Sequence, residues 1–91
     1  MDIDRQSRAR ARSQQNTIEF LDGELNLCET FLDIADTEFD DKERRTLATE
    51  KAQQGYATAL AWIGRVRSGY ELHRLAEKLD RLQERLQRYA T

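Results

Sequence analysis

From Leu72 to Tyr89 an apolar residue recurs at alternating steps of three and four: Leu72, Leu75, Leu79, Leu82, Leu86 and Tyr89. A helix of about 3.6 residues per turn puts such a series on one side, whereas a strand would need alternation every second residue. The same spacing occurs earlier, through Ile18, Leu21, Leu25, Cys28, Leu32, Ala35 and Phe39. Each of these helices carries one apolar ridge that water disfavours, so the chain is driven to pack helix on helix. Composition closes the alternatives. The 91 residues contain no proline, and 11 leucines stand against five valines and isoleucines together, leaving few β-branched residues for strands. A chain of this length forms one domain and buries a little over ~60% of its unfolded surface.

Local punctuation divides the chain. Residues 1–15 carry Arg5, Arg8, Arg10 and Arg12, and from Asp4 to Gln15 nothing apolar is larger than alanine, which predicts a flexible basic arm with no hold on a core. Asn16 or Thr17 then offers a cap, with Glu19 in the first turn, for a helix over 16–36. Asp40 followed by Glu43 resembles a capping pair for a second helix over 40–66. Ala48, Ala52, Gly55, Tyr56, Ala59, Leu60, Ile63 and Val66 are its expected inner side, with small residues that allow a neighbour to come close. Ser68-Gly69-Tyr70-Glu71 has the S-x-x-E form of a capping box and opens a third helix over 69–90. The predicted fold is all-α, an up-down-up three-helix bundle over 16–91.

Charge specifies how the helices should lie. The formal net charge of −2 conceals segregation: residues 1–16 sum to +2, residues 17–43 to −9 and residues 44–91 to +5. One residue after each member of the first ridge stand Glu19, Asp22, Asn26, Glu29, Asp33, Asp36 and Asp40, an acidic flank. One residue before each member of the last ridge stand Glu71, Arg74, Lys78, Arg81, Arg85 and Arg88, a mostly basic one. In parallel helices the flank following one ridge meets the flank preceding the other, as e and g positions do in a coiled coil. The first and third helices are therefore expected side by side and parallel, with the charges setting register and leucine burial supplying the stability.

Gly55-Tyr56-Ala57-Thr58-Ala59-Leu60, followed by Ile63 and Val66, resembles the second helix of a tetratricopeptide-type hairpin and the middle helix of microtubule-interacting-and-transport (MIT) domains. The resemblance spans about a dozen residues and lacks the repeat's closing proline and second copy. It implies a scaffold that binds other polypeptides and performs no chemistry.

The side-chain inventory argues against catalysis. Cys28 is the only cysteine, so no internal disulfide can form, and with His73 as the only histidine the usual structural zinc sets are missing. Cys28 falls on the first apolar ridge and is expected to be a buried thiol of raised pKa. His73 belongs to the first turn of the third helix, where a surface role is expected. No Glu-x-x-His element of the di-iron bundles occurs. No enzyme activity, cofactor or small-molecule substrate is implied. The longest apolar run, Ala59 to Ile63, is far short of the ~20 residues of a membrane span. With no basic-then-apolar leader at Met1-Asp2-Ile3-Asp4-Arg5, the expected compartment is the cytoplasm.

A surface for other proteins is the positive expectation. Phe20, Leu27, Phe31 and Ile34 form a second stripe on the first helix, roughly 110° from its ridge at ~3.6 residues per turn. Either a three-helix bundle covers this stripe from two sides, or part of it stays open for another chain. With Gln53, Gln54, Ala57, Thr58 and Ala61 on the sparsely charged outside of the second helix, and Trp62 at its rim, it outlines a docking surface for a protein partner or a second copy. The function expected is a non-enzymatic interaction or assembly module. The alternative is nucleic-acid binding through Arg5, Arg8, Arg10 and Arg12, with Arg65, Arg67, Tyr70 and Arg74 nearby. An isoelectric point near 5.4, the acidic first helix and the lack of a recognition motif weigh against it.

Overall fold

The computed structural model describes residues 2–38 and 40–89, with side chains from residue 8 onward. It holds three helices: α1 (Asp2–Thr37), α2 (Lys42–Ile63) and α3 (Gly69–Gln87). Contacts between α1 and α3 fix their relative direction. Asp22 is bonded by Arg74 and Lys78, Asp33 by Arg85, and Asp36 by both Arg85 and Tyr89. The partners are separated by 49 to 56 residues along the whole seam, so position advances along both helices together. The two helices are parallel neighbours, as the charge pattern predicts. Between α1 and α2 the order reverses: Phe20 meets Trp62, Cys28 meets Ala52, and Phe31 meets Lys51. The bundle is up-down-up.

Its core is built from the predicted ridges. Leu21, Leu25, Cys28, Leu32 and Ala35 of α1, Ala48, Ala52 and Ala59 of α2, and Leu75, Leu79, Leu82 and Leu86 of α3 are all buried. At ~1.5–3 kcal/mol for each leucine fully withdrawn from water, these side chains outweigh the surface ion pairs several-fold. Val66, in the α2–α3 connection, is buried as well and closes that end of the core. Phe39, the last member of the first ridge, lies outside the described residues. Leu60 and Leu72 depart from expectation, at 48% and 39% exposed. Leu60 follows the buried Ala59 by about 100° of helical rotation, and Leu72 lies at the start of its ridge, so both stand at the margin of the packed face.

At Gly55 α2 packs tightly against α1. A Cβ placed there would come within 2.6 Å of Cys28 Sγ, so only glycine permits this approach. Cys28 in turn donates its S–H to the Ala52 carbonyl at 3.4 Å. A thiol on one helix thus sits in the notch left by a missing side chain on the other.

The helix ends differ in detail from the sequence reading. The cap of α2 is Asp41, not Asp40: its carboxylate accepts from the Arg44 N–H at 3.0 Å. α2 stops at Ile63 and α3 at Gln87, each about three residues before the expected end. Ser68 caps α3 by accepting from the Glu71 N–H at 3.4 Å, but Glu71 turns its carboxylate to Arg74 and leaves the capping box half formed. The largest difference is at the amino terminus, where α1 begins at Asp2 and not near residue 16. Arginine, alanine and glutamine are strong helix formers, and neither glycine nor proline intervenes before Gly23, so nothing local ends the helix. Residues 8–13 are nonetheless exposed, in keeping with their lack of large apolar side chains.

Candidate interaction surface

α1 is much longer than its partners. At ~1.5 Å per residue its 36 residues span about 54 Å against about 33 Å for α2, and the molecule is 62 Å long but only 19 by 17 Å across. Its amino-terminal part therefore projects past the α2–α3 connection. The projecting segment is tied to that connection at one point. Gln14 donates its amide N–H to the Arg65 carbonyl at 2.8 Å and accepts the Arg67 N–H at 3.0 Å. One amide side chain thereby satisfies two backbone groups of the loop, which otherwise have no helix to complete.

On the face of α1 and α2 away from α3 runs a shallow groove of about 330 Å³. Glu24, Leu27, Cys28 and Phe31 line it from α1, and Lys51, Gln54, Gly55 and Thr58 from α2. Leu27 is 52% exposed. Phe31 is half-buried, resting against the core on one side and under the Lys51 ammonium, 5.5 Å from its ring centre, on the other. Leu47, one turn before Lys51, is 53% exposed. At the far end Phe20, 39% exposed, packs its ring on Trp62 at 5.2 Å between centres, and the Arg65 guanidinium covers Trp62 at 3.8 Å.

The candidate residues thus divide. Phe20, Leu27, Phe31, Gln54, Thr58 and Trp62 are brought onto this one face. Of the second stripe, Phe31 and Ile34 are half-buried while Leu27 stays open, so the bundle covers the stripe only in part. Ala57 and Ala61 are exposed but do not line the groove, and Gln53 turns toward Tyr89 on a different face. Glu24, Lys51 and Leu47 escaped the sequence reading. The i, i+4, i+7, i+11 spacing of Leu47, Lys51, Gln54 and Thr58 could have revealed them.

The polar and titratable groups are largely structural. Asp22 is held down to about 2 by hydrogen bonds from Arg74, against the opposing effect of partial burial, and Lys78 adds to the pull. Burial pushes the Cys28 thiol up to about 11, with Glu24 and Glu29 adding to the effect, so the thiolate nucleophile is suppressed at neutral pH. His73 is exposed and pairs with Glu77 at 3.0 Å. Among the described residues no three of His, Cys, Asp and Glu come together as a metal site requires. Nor is any helix there long and apolar enough to cross a membrane.

Arg8, Arg10 and Arg12 are exposed on the projecting part of α1; the side chain of Arg5 lies outside those described. Arg10 and Arg67 line one cleft, Arg12 and Trp62 another. Compared with known proteins, the chain matches no family model, no characterised protein and no solved structure.

Proposed function

We propose that the chain is a non-enzymatic helical interaction or assembly module that receives an apolar helix of another polypeptide along the α1–α2 face. The observation that carries this reading is half-exposed Leu27 beside Phe31 in the groove, with half-exposed Leu47 one turn before the groove residue Lys51 on α2. Three packed helices leave such a face available for a fourth, and helix-in-groove recognition uses this kind of apolar anchor spaced by helical turns. Glu24 and Lys51 border the groove with opposite charges and would set the direction of the incoming helix. The resemblance of Gly55 to Leu60 to tetratricopeptide and MIT hairpins supports the same class of function, although Leu60 is turned to solvent and not toward the paired helix. A cytoplasmic location fits the lone reduced cysteine.

Crosslinked capture from the native host, with solution mass measured at several concentrations, tests the proposal. The wild-type chain should retain a defined polypeptide, or a second copy of itself, that Leu27→Glu with Leu47→Glu loses while its melting temperature holds. Identical captures and identical solution mass for both chains would overturn it.

A further inference from the structure

The arginines at the projecting end of the bundle are left unused by that interaction face. We infer that Arg8, Arg10 and Arg12 of α1, together with Arg67 of the α2–α3 connection, form a composite site for the phosphate backbone of a nucleic acid. Arg10 and Arg67 share one cleft, with Arg8 and Arg12 on the opposite side of the same exposed helix, and three observations carry the assignment. First, Gln14 clamps the connection to α1 through both Arg65 and Arg67, which sets Arg67 across a cleft of about 520 Å³ from Arg10. Second, Arg8 and Arg12 stand one turn apart on one side of the helix while Arg10 points to the other, so positive charge surrounds a solvent-exposed rod. Third, among the described residues none of these four guanidinium groups pairs with a carboxylate, whereas Arg74 and Arg85 are committed to Asp22, Asp33 and Asp36.

The acidic isoelectric point loses its force once the charges are placed in space. Even with Asp2 and Asp4 counted, residues 1–16 carry +2, and Arg65 and Arg67 add two more. Asp22, the acidic residue of the α1 flank closest to them after Glu19, is neutralised by Arg74 and Lys78. Glu19 and Glu24 lie about 10 and 18 Å along the helix from Arg12 at ~1.5 Å per residue, at or beyond one Debye length at physiological salt, and the denser acidic run from Asp33 onward is about 30 Å away. A polyanion approaching this end meets a positive field.

Chemistry selects the kind of polyanion. From Asp4 to Gln15 the helix has no apolar side chain larger than alanine. The segment itself therefore has nothing to insert into a bilayer, and the aromatic side chains nearest it, Phe20 and Trp62, are packed on each other with Arg65 over the Trp62 ring. A phosphate backbone needs neither, because its affinity comes from counterion release at regularly spaced charges, which guanidinium groups also grip by hydrogen bonds.

Fluorescence anisotropy of labelled mixed-sequence duplex DNA and single-stranded RNA, titrated with the full-length chain, tests the inference. Four phosphate contacts predict that affinity falls about a hundredfold between about 50 and about 200 mM salt on a duplex. Each of Arg10→Gln and Arg67→Gln should lower the log–log salt slope by about 0.9 on duplex or about 0.7 on a single strand. Both positions are exposed, so far-ultraviolet circular dichroism should be unchanged. The control, Arg81→Gln with Arg88→Gln, removes two charges remote from the site and should leave the slope alone. Trp62, the only tryptophan, lines the cleft shared with Arg12, and its fluorescence should change on binding by the wild-type chain. The inference is overturned by no binding of either polymer at low salt, or by equal loss in the site and control variants. It is overturned equally if polyglutamate or anionic vesicles bind as tightly as nucleic acid. None of these outcomes bears on the α1–α2 groove, which the leucine variants address separately.

Discussion

A tight contact between two helices rests on one hydrogen atom. Gly55 has no Cβ, and the space that Cβ would take is held by Cys28 Sγ, 2.6 Å from its ideal position. Cys28 is buried within the first ridge and hydrogen-bonded to Ala52, so moving its sulfur aside breaks that bond and disturbs the ridge. In an exposed helix Gly→Ala would stabilise by about 1 kcal/mol through propensity alone. Here overpacking should reverse the sign, and Gly55→Ala is expected to cost about 1–3 kcal/mol in urea unfolding. The companion Cys28→Ala makes room, so the double variant should recover most of that loss; strictly additive single effects would mean that the notch is not the constraint. Nothing in the sequence marked Gly55 as paired with Cys28. Small residues in the middle of α2 suggested close packing, but which residue of α1 fills the gap depends on the rotation of both helices about their axes, a three-dimensional quantity.

Along the α1–α3 seam the unit of stabilisation is a network. Arg74 holds Asp22 with two bonds, at 2.8 and 2.9 Å, and is itself held by Glu71, while Lys78 reaches Asp22 at 3.0 Å. The carboxyl of Asp22 consequently titrates at about 2 in the folded chain, below its ordinary 3.8, chiefly through the Arg74 hydrogen bonds. A depressed folded pKa contributes stability that is fully present above the unfolded value and is lost as pH falls through the folded one. The window is therefore pH 4 down to pH 2. With the pair nearly a third exposed, the contribution is about 1–2 kcal/mol after screening. Denaturant midpoints measured through this window should fall for the wild type and fall less steeply for Asp22→Asn, which starts lower at pH 7; parallel curves would refute the assignment. This seam was the most legible part of the fold. A flank pattern along two ridges sufficed to predict parallel helices, because a parallel pair repeats the same offset turn after turn. Arg81 and Arg88 carry the same pattern yet pair with no carboxylate among the described residues, so the pattern gives direction more faithfully than it gives individual bonds.

The whole molecule joins a compact bundle to a rod. Its 62 Å length exceeds its 19 Å width by far more than three helices of the length of α2 could produce. The excess is the amino-terminal third of α1, whose helical state the sequence reading missed because it weighed the absence of core contacts and not intrinsic propensity. An isolated helix of about 12 residues is marginal in water, so this segment owes its order to continuity with the packed part of α1 and to the Gln14 clamp. Coupling of this kind is one-sided: the bundle supports the rod, but the rod buries nothing for the bundle. Deleting residues 2–13 should therefore change the free energy of unfolding by less than about 0.5 kcal/mol, as for other surface changes. Deleting through Gln14 removes the clamp and exposes the loop it satisfies, at an additional cost of about 1–2 kcal/mol for the two bonds. Small-angle scattering supplies the companion measurement, since the first deletion should lower the Cα radius of gyration from 16.2 Å while the melting temperature holds. A large loss of stability on that first cut would show that the rod packs against the bundle, and the arginines it carries would then be facing protein and not solvent.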